Sequence, residues 1–134
     1  MGAWDTGIFD DDTALDVLAS LALADPMEQI NEWYDNVQDT DYLEYTDGQC
    51  VLVSGAVIDA ALNGTVYPCP DEETLAAVVA TVKQNAPAAL KPTAVANLQR
   101  VLGEGSELRE LWEENEELYP AWRSNIEAII ARLG

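Results

Sequence analysis

Four aspartates near the start of the chain have the side-chain chemistry to hold a divalent cation. Asp10, Asp11 and Asp12 are consecutive, and Asp16 follows about one helical turn later. Carboxylate oxygens are the ligands that Ca²⁺ and Mg²⁺ prefer, so Asp10, Asp12 and Asp16 are candidate metal ligands. The spacing differs from that of a calcium-binding EF-hand loop, which needs a central glycine and a final glutamate. In the simpler interpretation, one aspartate caps a helix and the others lie near its positive end.

A second acidic cluster, nearer the carboxyl terminus, could form a binding surface. Between positions 104 and 117, Arg109 is the only basic residue among the glutamates. Like charges three and four residues apart destabilise a helix, so the helix needs either tertiary packing, with Trp112 as an anchor, or a use for its charged face. Such a face would attract a basic partner, for instance a nuclease whose phosphate contacts it imitates. The candidate binding residues are Glu107, Glu110, Glu113, Glu114 and Glu117.

The same cluster has a simpler interpretation as a solvated surface. Runs of acidic residues commonly keep a protein soluble without binding anything. Adaptation to a salty cytoplasm would also produce a chain with two lysines and 25 acidic residues. The sequence leaves these alternatives open.

The sequence offers little catalytic equipment. It contains no histidine, which excludes histidine-dependent triads, histidine general bases and histidine metal ligands. It also lacks the phosphate-binding P-loop, the G-x-G-x-x-G fingerprint and the G-x-S-x-G nucleophile motif. Cys50 lies in an apolar stretch typical of an inert core thiol, and no neighbouring base or cation activates Cys69. We therefore lean towards a protein that is not an enzyme, and we expect no catalytic residue and no cofactor.

The charge balance excludes two classes of partner. The chain has 134 residues and 49% hydrophobic residues, enough for one domain with a core of its own. Its 25 acidic residues against 6 basic ones give a net charge of −19. Nucleic acids and anionic lipid surfaces are both bound through lysine and arginine, so neither is an expected partner. Without a long apolar run or a basic leader, we expect a cytoplasmic protein with no membrane contact.

Hydrophobic spacing predicts an all-α fold, one domain over residues 1–134 with six or seven short helices. An aspartate of the 10–12 triplet, Asp25, Asp71 and Ser106 are predicted helix caps. The helix at about 47–62 is apolar nearly all round and is the candidate central helix, although 50–57 could instead be a buried strand. Residues 39–48 are a predicted connector, with a short helical turn around 42–45. The other predicted helices cover about 13–24, 26–38, 72–84, 92–102, a short stretch after 106, and 120 to the end.

The chain begins M-G-A-W-D-T-G-I-F-D-D-D-T-A-L-D. This opening resembles that of a bacterial family of small acidic domains of unknown function, whose members typically begin M-G-x-W-G-x-G-x-F-[DE]-N-D-x-A-x-D. Further similarity lies in residues 41–44, 106–112 and 119–123, so it extends over nearly the whole chain. Two positions depart from the pattern, with Asp5 in place of glycine and Asp11 in place of asparagine.

The resemblance implies a small bacterial helical domain without an established activity or catalytic residues. The matching positions are implied to be structural, namely Trp4, Gly7, Phe9, Asp10, Asp12 and Asp16. If the glycine that Asp5 replaces needs a positive φ, Asp5 either carries a small strain or changes the turn.

Two functions of different classes remain. The first is a non-enzymatic interaction protein whose acidic surface binds a basic partner, of the inhibitor or immunity type. The second is a divalent-cation-binding domain, or a metal-dependent enzyme, that uses Asp10, Asp12 and Asp16.

Overall fold

Helix boundaries follow the caps and breaks in the sequence. The computed structural model describes residues 7–134. In that range the chain forms no strand and seven α-helices, which confirms the all-α prediction. A short 3₁₀ helix, Pro87–Leu90, precedes the fifth of them. In chain order the α-helices are α1 (Asp12–Leu23), α2 (Pro26–Gln38), α3 (Tyr45–Asn63), α4 (Glu72–Lys83), α5 (Lys91–Leu102), α6 (Glu107–Glu113) and α7 (Tyr119–Leu133).

All four predicted caps are present. The Asp11 carboxylate accepts a hydrogen bond from the Thr13 backbone N–H at 2.7 Å and caps α1. Asp25, Asp71 and Ser106 cap α2, α4 and α6 in the same way, each through a side-chain oxygen and a backbone N–H of the first turn. Each such cap contributes about 1 kcal/mol to stability.

Helix α3 lies at the centre of the fold. From Gly48 to Asp59 every residue is buried, which explains why the sequence there lacks an amphipathic pattern. The strand alternative for 50–57 is wrong, because these residues lie in the middle of the 19-residue helix. The helix ends at Gly64, whose φ of +70° is the left-handed conformation that glycine adopts readily.

The core forms where the other helices pack against α3. Helices α1, α2, α4, α5, α6 and α7 all contact α3. Gly55 of α3 allows Leu98 of α5 to approach closely. Burial of side chains of this size contributes about 1.5–3 kcal/mol each. Other fully buried side chains include Phe9, Leu18, Leu21, Ile30, Ile58, Ile126 and Ile129.

The connector before α3 is shorter than predicted, because α3 already begins at Tyr45. Leu43 pairs with the segment that precedes α6: its N–H donates to Gly105 O at 2.7 Å, and its C=O accepts from Glu107 N at 2.9 Å. Gly105 has a φ of +78°, and a Cβ there would lie 2.7 Å from Asp41 O. The backbones of the two segments are therefore in direct contact.

Three tryptophans pack in or against the core. Trp122 is buried, while Trp33 and Trp112 are partly buried against the core. The Trp112 and Trp122 rings stack with their centroids 5.7 Å apart, which attaches α6 to α7. Trp4 lies outside the described residues. Among residues 7–134, no helix is long and apolar enough to cross a membrane.

Candidate functional site

Two of the four N-terminal aspartates, Asp10 and Asp11, accept hydrogen bonds from nearby parts of the fold. Asp10 accepts a hydrogen bond from the Gly7 N–H at 2.9 Å, and any side chain at Gly7 would collide with that carboxylate. Asp11 caps α1 and also accepts a hydrogen bond from the Tyr45 hydroxyl of α3. Asp12 begins α1, and Asp16 follows one turn later, both exposed. Gly7 and Asp10 thus form a turn that leads into the first helix.

This arrangement does not gather the three candidate metal ligands. Within residues 7–134, no group of three or more Asp, Glu, Cys or His side chains is placed to hold a metal ion. The cation site at Asp10, Asp12 and Asp16 therefore stays a prediction from the sequence.

Burial and charge raise the pKa of Tyr45 to about 12. Its ring is half-buried, and its hydroxyl donates to the negatively charged Asp11. Both effects disfavour the phenolate. Tyr45 therefore remains a neutral donor that fixes the N-terminal turn to α3.

Helix α6 separates an apolar inner side from an acidic outer side. Leu108 and Trp112, four residues apart, face the core, and a Cβ at Gly48 of α3 would lie 2.5 Å from Leu108. Residues three and four apart share a helix face, which places Glu107, Glu110 and Glu114 together on the other side. We call Glu107, Glu110, Glu113, Glu114 and Glu117 the acidic face.

Two members of the acidic face accept hydrogen bonds from the segment at the start of α3. The half-buried Glu107 accepts a hydrogen bond from the Tyr45 backbone N–H at 2.9 Å, so it helps to cap α3. The exposed Glu110 accepts one from the Tyr42 hydroxyl at 3.1 Å. Glu107 therefore has a structural role in addition to any role at the surface.

The other three members lie at the end of α6 and in the turn that follows. Glu113 forms an ion pair with Arg109, with Oε1 and Nε 3.0 Å apart, although the contact lacks the angle of a hydrogen bond. Glu114 is the C-cap residue of α6, and Glu117 lies in the turn before α7. With Asn115 and Glu116, these residues line an open depression on the surface.

The position of these carboxylates is electrostatically unfavourable. Glu113 and Glu114 lie at the C-terminal end of α6, where the helix dipole is negative. Arg109 lies one turn earlier and pairs with Glu113 alone. A cation bound here would relieve repulsion that the fold itself leaves in place.

The remaining arginines bind elsewhere in the protein. Arg100 of α5 donates to Val37 O and Thr40 O, both at 2.6 Å, and so caps the C-terminal end of α2. Arg123 of α7 donates to Leu102 O at 3.3 Å, at the end of α5. These contacts hold helix ends, and among the described residues Arg109 alone forms an ion pair with the acidic face.

Sequence reasoning missed a buried ionic cluster at the end of α3. The Asp59 side chain is fully buried and accepts hydrogen bonds from Arg132 Nε at 2.8 Å, the Tyr67 hydroxyl at 2.5 Å and Asn63 Nδ2 at 2.8 Å. Burial alone would raise the pKa of Asp59, but these hydrogen bonds outweigh it and lower that pKa. The sequence signal was Asp59 itself, the one charged residue between positions 50 and 62.

The residues of this buried cluster come from three different parts of the fold. Asp59 belongs to α3, Arg132 to α7 and Tyr67 to the loop before α4. The Tyr67 ring in turn meets Phe9 edge-on, with centroids 6.0 Å apart. Three donors bond to the buried Asp59 carboxylate. Asp59 therefore has the surroundings of a residue that holds parts of the fold together.

Both cysteines are buried free thiols. Burial, with the nearby charge of Asp47, raises the pKa of Cys50 to about 12. Burial also raises the pKa of Cys69. A thiol with a raised pKa is a poor nucleophile, which agrees with the structural interpretation of Cys50.

Comparison with known proteins identifies the family. No curated protein and no solved structure matches the chain. The sequence profile of a domain of unknown function, DUF4259, matches residues 2–125. Since that match covers most of the sequence, the chain belongs to the DUF4259 family.

Proposed function

We propose that this protein is a non-enzymatic, cytoplasmic interaction protein whose acidic face binds a basic protein partner, in the manner of an inhibitor or an immunity-type protein. The observation that carries the proposal is the concentration of carboxylates at the C-terminal end of α6, where Arg109 is the single basic residue between positions 104 and 117. A basic partner is the chemistry that complements such a surface.

Electrostatic energetics support this assignment. Glu113 and Glu114 are disfavoured by the α6 dipole and by their neighbours, Glu116 and Glu117, in the free protein. Lysine or arginine side chains of a partner bound there would be attracted to these glutamates. The same cations would also reduce the repulsion among the glutamates. Opposite potentials also accelerate encounter and make binding depend on salt.

A local charge comparison tests the proposal. A fluorescent peptide of alternating lysine and serine stands in for a basic partner segment, and anisotropy measures its affinity at about 50 mM and about 300 mM NaCl. The test variant combines Glu110→Gln, Glu114→Gln and Glu117→Gln. It leaves Glu107, which caps α3, and Glu113, which pairs with Arg109, in place.

The matched control removes the same number of charges from other exposed positions, through Glu32→Gln, Asp35→Asn and Glu73→Gln. We expect the test variant to weaken binding about fivefold or more at low salt, and the control to weaken it by less than about twofold. Equal weakening by both variants would show that the peptide responds to net charge alone, and it would overturn the proposal.

A further inference from the structure

Helix α3 ends in an Asn–Gly sequence, the dipeptide most prone to spontaneous deamidation. Asn63 is followed by Gly64, and no other asparagine of the chain precedes a glycine. Because glycine has no side chain, its backbone nitrogen can reach the neighbouring asparagine side chain with little steric hindrance. Both residues are exposed, and a Cβ at Gly64 would meet no other atom within 4 Å. Water and the reacting atoms therefore have room at this site.

Deamidation here would exchange the Asn63 side-chain amide for a carboxylate. The Gly64 backbone nitrogen attacks Asn63 Cγ, an N–Cγ bond forms, and the Cγ–Nδ2 bond breaks. The proton lost by the Gly64 nitrogen leaves with Nδ2 as ammonia. Water then opens the five-membered succinimide at either carbonyl and returns a proton to that nitrogen, which yields aspartate or isoaspartate. Water is the only co-reactant, and no electron is transferred.

In the folded protein, hydrogen bonds hold both reacting groups. Asn63 Nδ2 donates to Asp59 Oδ1 at 2.8 Å and to Arg132 O at 3.4 Å. The Gly64 N–H donates to Ala60 O at 3.0 Å and completes the last turn of α3. A backbone nitrogen held in a helical turn does not reach the side-chain carbon, so the reaction requires that turn to open.

The product would not fit back into this arrangement. A carboxylate at position 63 has no proton to donate, and it would lie beside the fully buried carboxylate of Asp59. Two like charges at hydrogen-bond distance repel strongly where water is excluded. Asp59 would therefore lose one of its donors and gain a negative neighbour.

We propose that Asn63 is a deamidation site controlled by the Asp59 cluster, which we define as Asp59, Asn63, Tyr67 and Arg132. The closed cluster protects the amide, and deamidation in the opened state prevents the cluster from closing again. Because Arg132 and Tyr67 bond to the same carboxylate as Asn63, the change at one residue also weakens the attachment of α7 and of the loop before α4. The site is separate from the acidic face and does not depend on the function proposed for it.

Peptide mapping by mass spectrometry, with isoaspartate quantified separately, measures the rate at Asn63 at mildly alkaline pH. We expect the folded protein to react at least about tenfold more slowly than the chain unfolded in urea, because only opened molecules react. Asp59→Ala removes the carboxylate that holds Nδ2 and should raise the rate in native buffer about threefold or more. Gly105→Ala is the control, because it disturbs the fold away from the cluster and should leave the rate nearly unchanged.

Equal rates in the folded and unfolded chains would overturn the proposal. The same holds if Gly105→Ala accelerates the reaction as much as Asp59→Ala does, since protection would then come from the fold as a whole.

A second pair of variants tests the consequence of the reaction and decides the matter if Asp59→Ala does not fold. Asn63→Asp creates the product's charge at the end of α3, and Asn36→Asp adds the same charge at an exposed position near the end of α2. We expect Asn63→Asp to lower the Tm by roughly 5–10 °C and Asn36→Asp to lower it by less than about 3 °C. Adding Asp59→Asn to Asn63→Asp should recover part of the loss, because one of the two facing carboxylates is then neutral. Equal Tm shifts for Asn63→Asp and Asn36→Asp would overturn the proposal.

Discussion

Arg132 and Asp59 form an ion pair across 73 positions of sequence, with Arg132 Nε 2.8 Å from Asp59 Oδ2. The pair joins the last helix to the central one. Tyr67 bonds to both partners, donating to Asp59 and accepting from the Arg132 guanidinium at 3.2 Å. One side-chain cluster thus connects α3, α7 and the loop that precedes α4.

Replacement of Arg132 should destabilise the fold measurably. In Arg132→Met, the aliphatic stem is kept while the fully buried Asp59 carboxylate loses its charged partner. Arg132 is 37% exposed, so solvent screens part of the interaction, and we expect a loss of about 2–3 kcal/mol in the free energy of unfolding. Urea titration checks this value. Lys83→Met on the exposed end of α4 is the control, and an equal loss there would contradict the role assigned to the pair.

Asp59 should also make stability depend on pH in the acid range. Its pKa is lowered in the folded protein, so the stability it provides is complete above the pKa of the unfolded chain and is lost as the pH falls through the folded value. The intact protein should have a larger free energy of unfolding than Asp59→Asn, and this difference should shrink from about pH 5 downward.

The comparison between intact protein and Asp59→Asn is needed because acid has a second effect. Protonation of many surface carboxylates reduces the repulsion within a chain of net charge −19 and works in the opposite direction. This second effect is common to both proteins and cancels in their difference. Urea titrations at a series of pH values measure that difference. A gap that stays constant down to about pH 3 would show that Asp59 keeps its usual pKa.

Gly105 and Gly64 offer a matched pair for testing the contact between segments 41–43 and 105–107. Both have positive φ, +78° and +70°, so alanine at either position adopts an unfavourable backbone conformation at about 1 kcal/mol. Around Gly64 there is open space, whereas at Gly105 a Cβ would lie 2.7 Å from Asp41 O. We expect Gly105→Ala to cost about 1–3 kcal/mol more than Gly64→Ala in thermal or urea unfolding. If both variants lose the same stability, the two backbone segments can move apart without cost, and the contact does not constrain them.

Local patterns predicted the helices because caps and apolar spacing act within a few residues. Asp25, Asp71 and Ser106 cap the helices that they were predicted to cap. The start of α3 was misplaced because part of its stabilisation is nonlocal. The Tyr45 N–H bonds to Glu107, which is 62 positions away, and no periodicity in residues 39–48 reports that partner.

The candidate site was predictable in its charge but not in its shape. The glutamates of the acidic face are evident in the sequence, but the position of Tyr42 beside Glu110 depends on the pairing of Leu43 with residues 105–107. Asp59 and Arg132 likewise meet only because α3 and α7 pack together. Contacts between distant segments follow from tertiary packing, which a single sequence does not display.

Salt should stabilise the protein through the acidic face. A net charge of −19 opposes the folded state by self-repulsion, and dissolved ions screen exposed charges within about 10 Å at 0.1 M. Raising NaCl from about 20 mM to about 500 mM should increase the Tm by roughly 5 °C. The variant with Glu110→Gln, Glu114→Gln and Glu117→Gln should melt higher at low salt and respond less to added salt, because the crowded end of α6 has lost charge. Differential scanning calorimetry measures both curves. Parallel curves for this variant and for Glu32→Gln, Asp35→Asn, Glu73→Gln would show that the repulsion is spread evenly over the surface and is not concentrated at α6.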